Sequence, residues 1–268
     1  MNTSHHKEFE KIIRRLSHRY QAWQVFADFC EMAAISLSNA MIKNEAREAR
    51  YLEIVKRYTK DEVNALASLL GVAALALEGL HCDFLGEVFM GLDLGSHWHG
   101  QYFTPFCICR MMAAMTAGDP QEKIADKGFI SVMEPCVGAG AMVIAVARTL
   151  LDEKINYQKA MHVTAIDISA TAAHMAYIQF SLLHIPAVVY VGNTLSMEMH
   201  DVFYTPAHFM GLWDSKLMRQ AREEADKQNI EAIYAAAPST PPPCDEPRPE
   251  ALAPMRLPVE FPKQLALF

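Results

Sequence analysis

The feature that most constrains this chain is an alternation of strand-like and helical segments between Phe129 and Leu195. Strands alternating with helices of this length are typical of βαβ units, whose right-handed crossovers build a parallel sheet. We therefore predict an α/β fold with a Rossmann-like sheet, of which the sequence shows three parallel strands. The predicted strands are FISVMEP (129–135), MHVTAIDIS (161–169) and AVVYVGNTL (187–195), and the predicted helices are AMVIAVARTLLDEK (141–154) and ATAAHMAYIQFSLLHI (170–185).

A helical region precedes this sheet. From Phe9 onward, apolar residues recur at steps of three and four, and no proline occurs before Pro105. Thr59 and Glu62 have the spacing of a capping box at a helix start. The run 63–80 is apolar on nearly every side, so we expect a buried helix there.

The pattern ends after Leu195. Residues 219–236 have the composition of a solvated helix, and from about 236 onward prolines are concentrated in a segment that predicts a flexible tether. We therefore divide the chain into a helical region (1–95), a sheet region (96–215), and a helix followed by a proline-rich tail (216–268).

Composition places the chain among folded proteins. It has 268 residues, 51% of them hydrophobic, and no stretch of eighteen uninterrupted apolar residues. The first residues are polar and lack the apolar centre of a signal peptide. The six cysteines form no CxxC motif, which favours reduced thiols and a cytoplasmic location.

The net charge of −7 is unevenly distributed. Residues 1–60 carry 11 lysines and arginines against seven acids, and the other 208 residues carry 13 against 24. This balance argues against nucleic-acid binding over the whole surface, because phosphate contacts need clustered basic residues. If DNA binds, the basic N-terminal segment is the better candidate, although the simpler explanation of its charge is an ordinary solvated helix face.

A glycine-rich turn follows the first predicted strand and reads Glu134-Pro135-Cys136-Val137-Gly138-Ala139-Gly140. Glycines at the carboxyl end of a strand let the backbone turn sharply and approach a ligand. The acid before them would repel a pyrophosphate and suits a ligand with an amino group or ribose hydroxyls. By itself, GxG also fits a tight turn without a ligand.

Polar residues also end the second and third predicted strands. Asp167 has the position of an acid that accepts hydrogen bonds from ribose hydroxyls, because Ser169 is better placed as the helix cap. Asn193 could read an adenine edge with its amide. Since the carboxyl ends of parallel strands meet at one edge of a sheet, these groups and Glu134 predict one ligand site.

Four segments together resemble the adenine-N6 DNA methylases, above all the modification subunits of type I restriction systems. They are HGQYFTPFCICRMM (99–112), EPCVGAGAM (134–142), AIDIS (165–169) and VGNTL (191–195), and DFLGEVFMGL (83–92) is similar to the helical lead-in of that family. The resemblance implies DNA modification, DNA as a partner and S-adenosylmethionine (SAM) as the cofactor. The SAM-binding residues that it implies are Gln101, Tyr102, Phe103, Thr104, Pro105, Glu134, Gly138, Gly140, Asp167, Ile168 and Asn193.

The chain departs from the family at the catalytic motif. Family members carry Asn/Asp-Pro-Pro-Phe/Tyr, which holds the amino group of a flipped adenine. The nearest string here is Thr240-Pro241-Pro242-Pro243, which lacks both the amide and the ring. We therefore assign no catalytic residue. A SAM-binding relative without efficient catalysis, or a methyltransferase for a small molecule or protein, are the alternatives.

The last five residues, Gln264-Leu265-Ala266-Leu267-Phe268, resemble the peptides that dock on the bacterial sliding clamp. Gln264 would bind at the rim of the clamp pocket, and Leu265, Leu267 and Phe268 would supply the apolar contacts. The alternative is that the terminal side chains pack on the protein itself.

We expect no metal site. Cys82, His97 and His99 have no partners at metal-ligand spacing, and Cys107 and Cys109 would lie on different helix faces.

Overall fold

The computed structural model describes residues 3–79, 81–94, 102–116 and 118–236, with side chains described up to residue 228. Contacts divide the chain into a compact unit, Met1–Glu223, and a second unit, Glu224–Phe268. No helix within these described ranges is both long and apolar enough to cross a membrane.

The described residues of the N-terminal region form five helices, and the sequence predicted a helical region there. Thr59 and Glu62 form the expected capping box, with the Thr59 N–H donating to Glu62 at 2.7 Å. An aromatic cluster that includes Phe9, Phe29 and Phe84 fixes three of the helices to one another. The helices are α1 (Thr3–Leu16), α2 (Ala22–Met41), α3 (Glu45–Val55), α4 (Lys60–Leu77) and α5 (Phe84–Gly91).

The expectation that α4 is buried all round is wrong. Its buried residues lie on one face, and Leu75 on another face is 57% exposed.

The sheet begins after two connecting helices. Strands β1 (Ile130–Glu134), β2 (Met161–Asp167) and β3 (Ala187–Asn193) are parallel, with Val132 opposite Val163 and Ala165 opposite Val189. This confirms the predicted α/β fold and its parallel strands. The elements are α6 (Phe106–Thr116), α7 (Pro120–Lys127), β1 (Ile130–Glu134), α8 (Ala141–Asp152), α9 (Tyr157–Ala160), β2 (Met161–Asp167), α10 (Ala170–Leu182) and β3 (Ala187–Asn193).

A fourth strand that the sequence did not predict, β4 (Glu198–Tyr204), pairs antiparallel with β3 and gives the order β1-β2-β3-β4. The Asn193 side chain accepts the Leu195 N–H at 2.9 Å, and Met197 has a φ of +59°, so the chain reverses tightly between the two strands. Glu198, His200 and Asp201 interrupt the apolar residues of this edge strand, so it lacks the apolar run that marks β2 and β3.

Two helices follow β4, namely α11 (Pro206–Met210) and α12 (Trp213–Ala236), so α12 begins six residues before the predicted solvated helix. His208 of α11 hydrogen-bonds with its Nδ1 to His162 Nε2 of β2 and with its Nε2 to Asp214, both at 3.0 Å. Burial lowers the pKa of His162 to about 4, so this histidine is neutral at physiological pH. The histidine pair fastens α11 to the sheet.

Helix α10 lies between the sheet and the N-terminal helices. It packs against β2 and β3 on one side and against α2 on the other. This double contact explains why the segment ATAAHMAYIQFSL is apolar on every face, since a helix covered on all sides has no solvent-facing stripe. Through α10 the helical region supports the sheet.

Arg47 of α3 provides a second connection between the helical region and the sheet. Its guanidinium donates to Ser38 at 2.8 Å and to both the Asp201 carboxylate and the Val202 carbonyl of β4. The same group lies 4.0 Å from the ring centroid of Phe203. One side chain therefore ties α2 and α3 to the edge strand.

We expect Arg47→Met to lower the free energy of unfolding by about 1–3 kcal/mol, because several hydrogen bonds and a cation–π contact are lost together. This figure allows for solvent screening of Asp201, whose side chain is 44% exposed. Urea denaturation measures the change.

Arg50→Met is the matched control, because Arg50 pairs with Glu31 but its side chain is 42% exposed. Arg50→Met should lower the free energy of unfolding by less than about 1 kcal/mol. Equal losses in the two variants would contradict the role given to Arg47.

Candidate functional site

The turn after β1 is fastened to the end of β2. The Val137 N–H donates to the Ile166 carbonyl at 2.9 Å, and the Gly138 N–H donates to Asp167 Oδ2 at 2.8 Å. Gly138 and Gly140 have φ angles of +56° and +103°, a region that favours glycine. We call residues 135–140 the glycine loop. The backbone conformation of this loop therefore favours glycine at both positions.

Asp167 organises the end of β2 with both carboxylate oxygens. Oδ2 accepts from Gly138, and Oδ1 accepts the Ser169 N–H at 2.9 Å. Ser169 in turn caps α10 by accepting the Ala172 N–H at 3.4 Å, as predicted. Because a carboxylate oxygen can accept two hydrogen bonds, both oxygens of Asp167 keep acceptor capacity for a ligand.

Glu134, the last residue of β1, lies half-buried near Asp167. Its Oε1 accepts the Cys136 N–H at 3.3 Å. Burial raises the pKa of Glu134, and the charge of Asp167 raises it further. Two carboxylates that repel each other in a partly desolvated position favour a ligand that carries positive charge.

The end of β3 meets the glycine loop from the other side. The Thr194 hydroxyl donates to the Pro135 carbonyl at 2.6 Å. Asn193 uses its carbonyl oxygen to accept the N–H groups of Leu195 and Ser196, which leaves the amide nitrogen as the group with which it can donate to a ligand. Ile168 beside Asp167 is 69% exposed and offers an apolar surface.

Phe103, in the segment before α6, contacts the same loop. The Phe103 ring lies 5.2 Å from that of Phe89 and 3.0 Å from the position that a Cβ on Gly138 would occupy. Thr104 and Pro105 are exposed, and Tyr102 is 72% exposed. Gln101 lies outside the described residues. Phe103 therefore contacts the loop, whereas its neighbours face solvent.

Two polar residues behind the loop were not predicted from the sequence. Gln179 of α10 donates from Nε2 to the Ala139 carbonyl and to Asp83 Oδ1, both at 2.8 Å. Gln179 stands among the apolar residues of α10, a helix covered on all sides. Because a buried amide needs hydrogen-bond partners, this glutamine is the signal that could have revealed the pair.

A cavity of about 1000 Å³ lies beside the N-terminal helices, and its lining includes Cys82, Phe103 and Thr104 but neither Glu134 nor Asp167. Cys107 is exposed and Cys109 is buried, as expected for different helix faces. His97 and His99 lie outside the described residues. Among the residues that the structure describes, no cluster of three or more metal-ligand side chains is found.

We expect Gly140→Ala to lower the free energy of unfolding by about 2 kcal/mol or more, because its φ is strained for alanine and overpacking adds to this. A Cβ there would lie 2.6 Å from the Phe180 ring. Thermal or urea unfolding measures the loss.

Gly71→Ala in α4 is the control, since a Cβ there meets no atom within 4 Å. It should raise stability by about 0.5–1 kcal/mol. A neutral Gly140→Ala variant would show that the loop does not need its left-handed glycine.

The assembled site has the features of a site for a nucleoside with a cationic group: carboxylates at the ends of two strands, an amide at the third, and a loop with two glycines in the left-handed region. The sequence profile of the N-6 DNA methylase family matches residues 94–234, which is more than half of the chain. No curated protein matches the chain. A crystal structure from Listeria monocytogenes, described as a class I S-adenosylmethionine-dependent methyltransferase, is similar at 15% identity and a TM-score of 0.36. The match covers 65% of this chain and 56% of that one, so the chain spans little more than half of that protein. By the family profile, the chain belongs to the N-6 DNA methylases.

Proposed function

We propose that this chain binds SAM across the carboxyl ends of β1, β2 and β3. The observation that carries the proposal is the Asp167 carboxylate, which holds the glycine loop through Gly138 and keeps acceptor capacity on both oxygens. Asp167 would accept hydrogen bonds from the ribose hydroxyls, and Glu134 would bind the amino group. Membership of the N-6 DNA methylase family supports this choice of ligand.

The chemistry of the site fits the charge of this cofactor. SAM supplies a methyl group activated by a positively charged sulfonium. Burial and the nearby charge of Asp167 raise the pKa of Glu134, and a cationic ligand would offset the repulsion between the two carboxylates. Ile168 and Asn193 would contact the adenine, by apolar contact and by hydrogen bonding.

The substrate that we propose is an adenine amino group in DNA. This amine is a weak nucleophile because its lone pair is delocalised into the ring, so transfer needs acceptors fixed beside the methyl group. The chain contains no Asn/Asp-Pro-Pro-aromatic string, and Thr240–Pro243 lies outside the described residues. We therefore propose a role in DNA adenine modification in which this chain supplies cofactor binding and little catalysis on its own.

Asp167→Ala should weaken SAM binding by about 1–3 kcal/mol, because charge-assisted hydrogen bonds to the ribose are lost. Isothermal titration calorimetry measures the affinity. Asp126→Ala is the control, because Asp126 is exposed on α7 and should leave binding unchanged. Absence of SAM binding to the intact protein would refute the proposal.

The purified chain should transfer methyl groups to unmethylated DNA weakly or not at all. The assay uses SAM labelled in the methyl group and DNA that contains all adenine contexts. Rapid labelling of DNA would mean that residues after Leu195 form a catalytic site that the sequence does not reveal. Labelling of a small molecule or protein instead would select that class of substrate.

We also propose that Gln264–Phe268 docks on the bacterial sliding clamp. The supporting observation is the sequence Gln-Leu-Ala-Leu-Phe at the end of a proline-rich segment. A short peptide binds weakly, because ordering opposes a small contact area. A ring with several equivalent sites would compensate by effective concentration once the protein also contacts DNA.

Deletion of Leu267 and Phe268 should abolish clamp binding and leave SAM binding unchanged, because these side chains are the expected apolar anchors. Titration of the clamp with the full-length and truncated chains measures the effect. The same affinity for both chains would disprove the docking role.

A further inference from the structure

Gln179 is a fully buried glutamine in α10, and the hydrogen-bonding groups of its amide are all engaged. Nε2 donates to the Ala139 carbonyl and to Asp83 Oδ1, each at 2.8 Å. Oε1 accepts the Leu85 N–H at 3.1 Å. A buried amide with this many partners holds the groups around it in one arrangement, because rotating it would break several hydrogen bonds together.

Within the glycine loop, the conformation of Ala139 depends most on contacts from outside the loop. It stands between Gly138 and Gly140, whose backbones can both adopt φ angles of either sign. The Ala139 carbonyl shares a peptide plane with the Gly140 N–H, which donates to the Val137 carbonyl at 2.9 Å. A hydrogen bond to this carbonyl therefore fixes the orientation of the final peptide of the loop.

The far end of the hydrogen-bond chain lies in the helical region. Asp83 is the N-cap of α5 and accepts the Gly86 N–H at 3.0 Å with the same Oδ1 that Gln179 contacts. Its carboxyl group is buried, which raises its pKa to about 6 although both hydrogen bonds oppose the rise. When this carboxyl group is ionised, its charge strengthens the hydrogen bond from Gln179.

We propose that Gln179 is a positioning residue for the SAM site, which holds the Ala139 peptide in its binding conformation and is itself oriented by Asp83 and Leu85 of α5. This inference rests on the proposed SAM site. The loop is then held at two points, since Asp167 fixes the Gly138 N–H and Gln179 fixes the Ala139 carbonyl. Such preorganisation strengthens binding because the ligand need not order the loop.

The test uses Gln179→Met, which fills a similar volume without hydrogen-bonding groups. We expect hydrogen exchange at the Gly138 and Gly140 amides to speed up about tenfold and the Kd for SAM to rise about tenfold, the size expected for the loss of one well-placed hydrogen bond. Exchange is measured by NMR on the full chain without ligand, and the Kd by calorimetry.

Thr205→Val is the control for a purely structural effect. Thr205 is fully buried, donates to the Ile185 carbonyl at 2.8 Å and accepts the Ala187 N–H at 2.9 Å. Its loss should reduce global stability while leaving both loop exchange and the Kd for SAM unchanged. If Gln179→Met changes loop exchange and the Kd no more than Thr205→Val does, the positioning role is wrong.

Asp83 supplies a pair of variants that does not depend on the folding of Gln179→Met. Asp83→Asn keeps an oxygen acceptor for Gln179 and should retain slow loop exchange, whereas Asp83→Ala removes the acceptor and should speed exchange. Equal exchange in these two variants would overturn the proposal. If the wild type binds no SAM, the proposed function fails, while loop exchange still decides whether Gln179 positions the loop.

Discussion

The hydrogen bond from the Gly138 N–H to Asp167 is the interaction on which the site depends. It joins the loop after β1 to the end of β2, and the second oxygen of Asp167 holds Ser169 at the start of α10. One carboxylate thus fixes the loop, the strand end and the helix cap relative to one another. Because the parallel strands bring these ends to one edge, the groups that would bind a ligand converge there.

The helical region acts as the support of this edge. Helix α10 is covered by the sheet and by α2, and Arg47 connects α3 to β4. The buried contact between Asp83 and Gln179 brings the start of α5 into the same hydrogen-bonded group as the loop. The N-terminal helices therefore stabilise the site without contributing the carboxylates that line it.

Sequence patterns predicted the elements whose signals are local. The parallel strands, the capping box at Thr59 and the cap at Ser169 each follow from spacing within a few residues. Strand β4 was missed because an edge strand has no continuous apolar run and is defined by pairing with β3. The partnership of Gln179 with Asp83 spans 96 residues of sequence, so no local pattern could disclose it. Glu134 and Asp167 were predicted as neighbours, whereas the contact of Phe103 with Gly138 depends on tertiary packing.

A ¹H–¹⁵N NMR titration of the intact chain with SAM, which follows the backbone amides, tests the proposed binding site most directly. Saturable shifts at Gly138, Ala139, Gly140 and Ser169, with little change at Gly71 in α4, would place the cofactor at the strand ends. Saturable shifts confined to residues around the cavity beside the N-terminal helices, or no shifts at millimolar SAM, would contradict the proposed site.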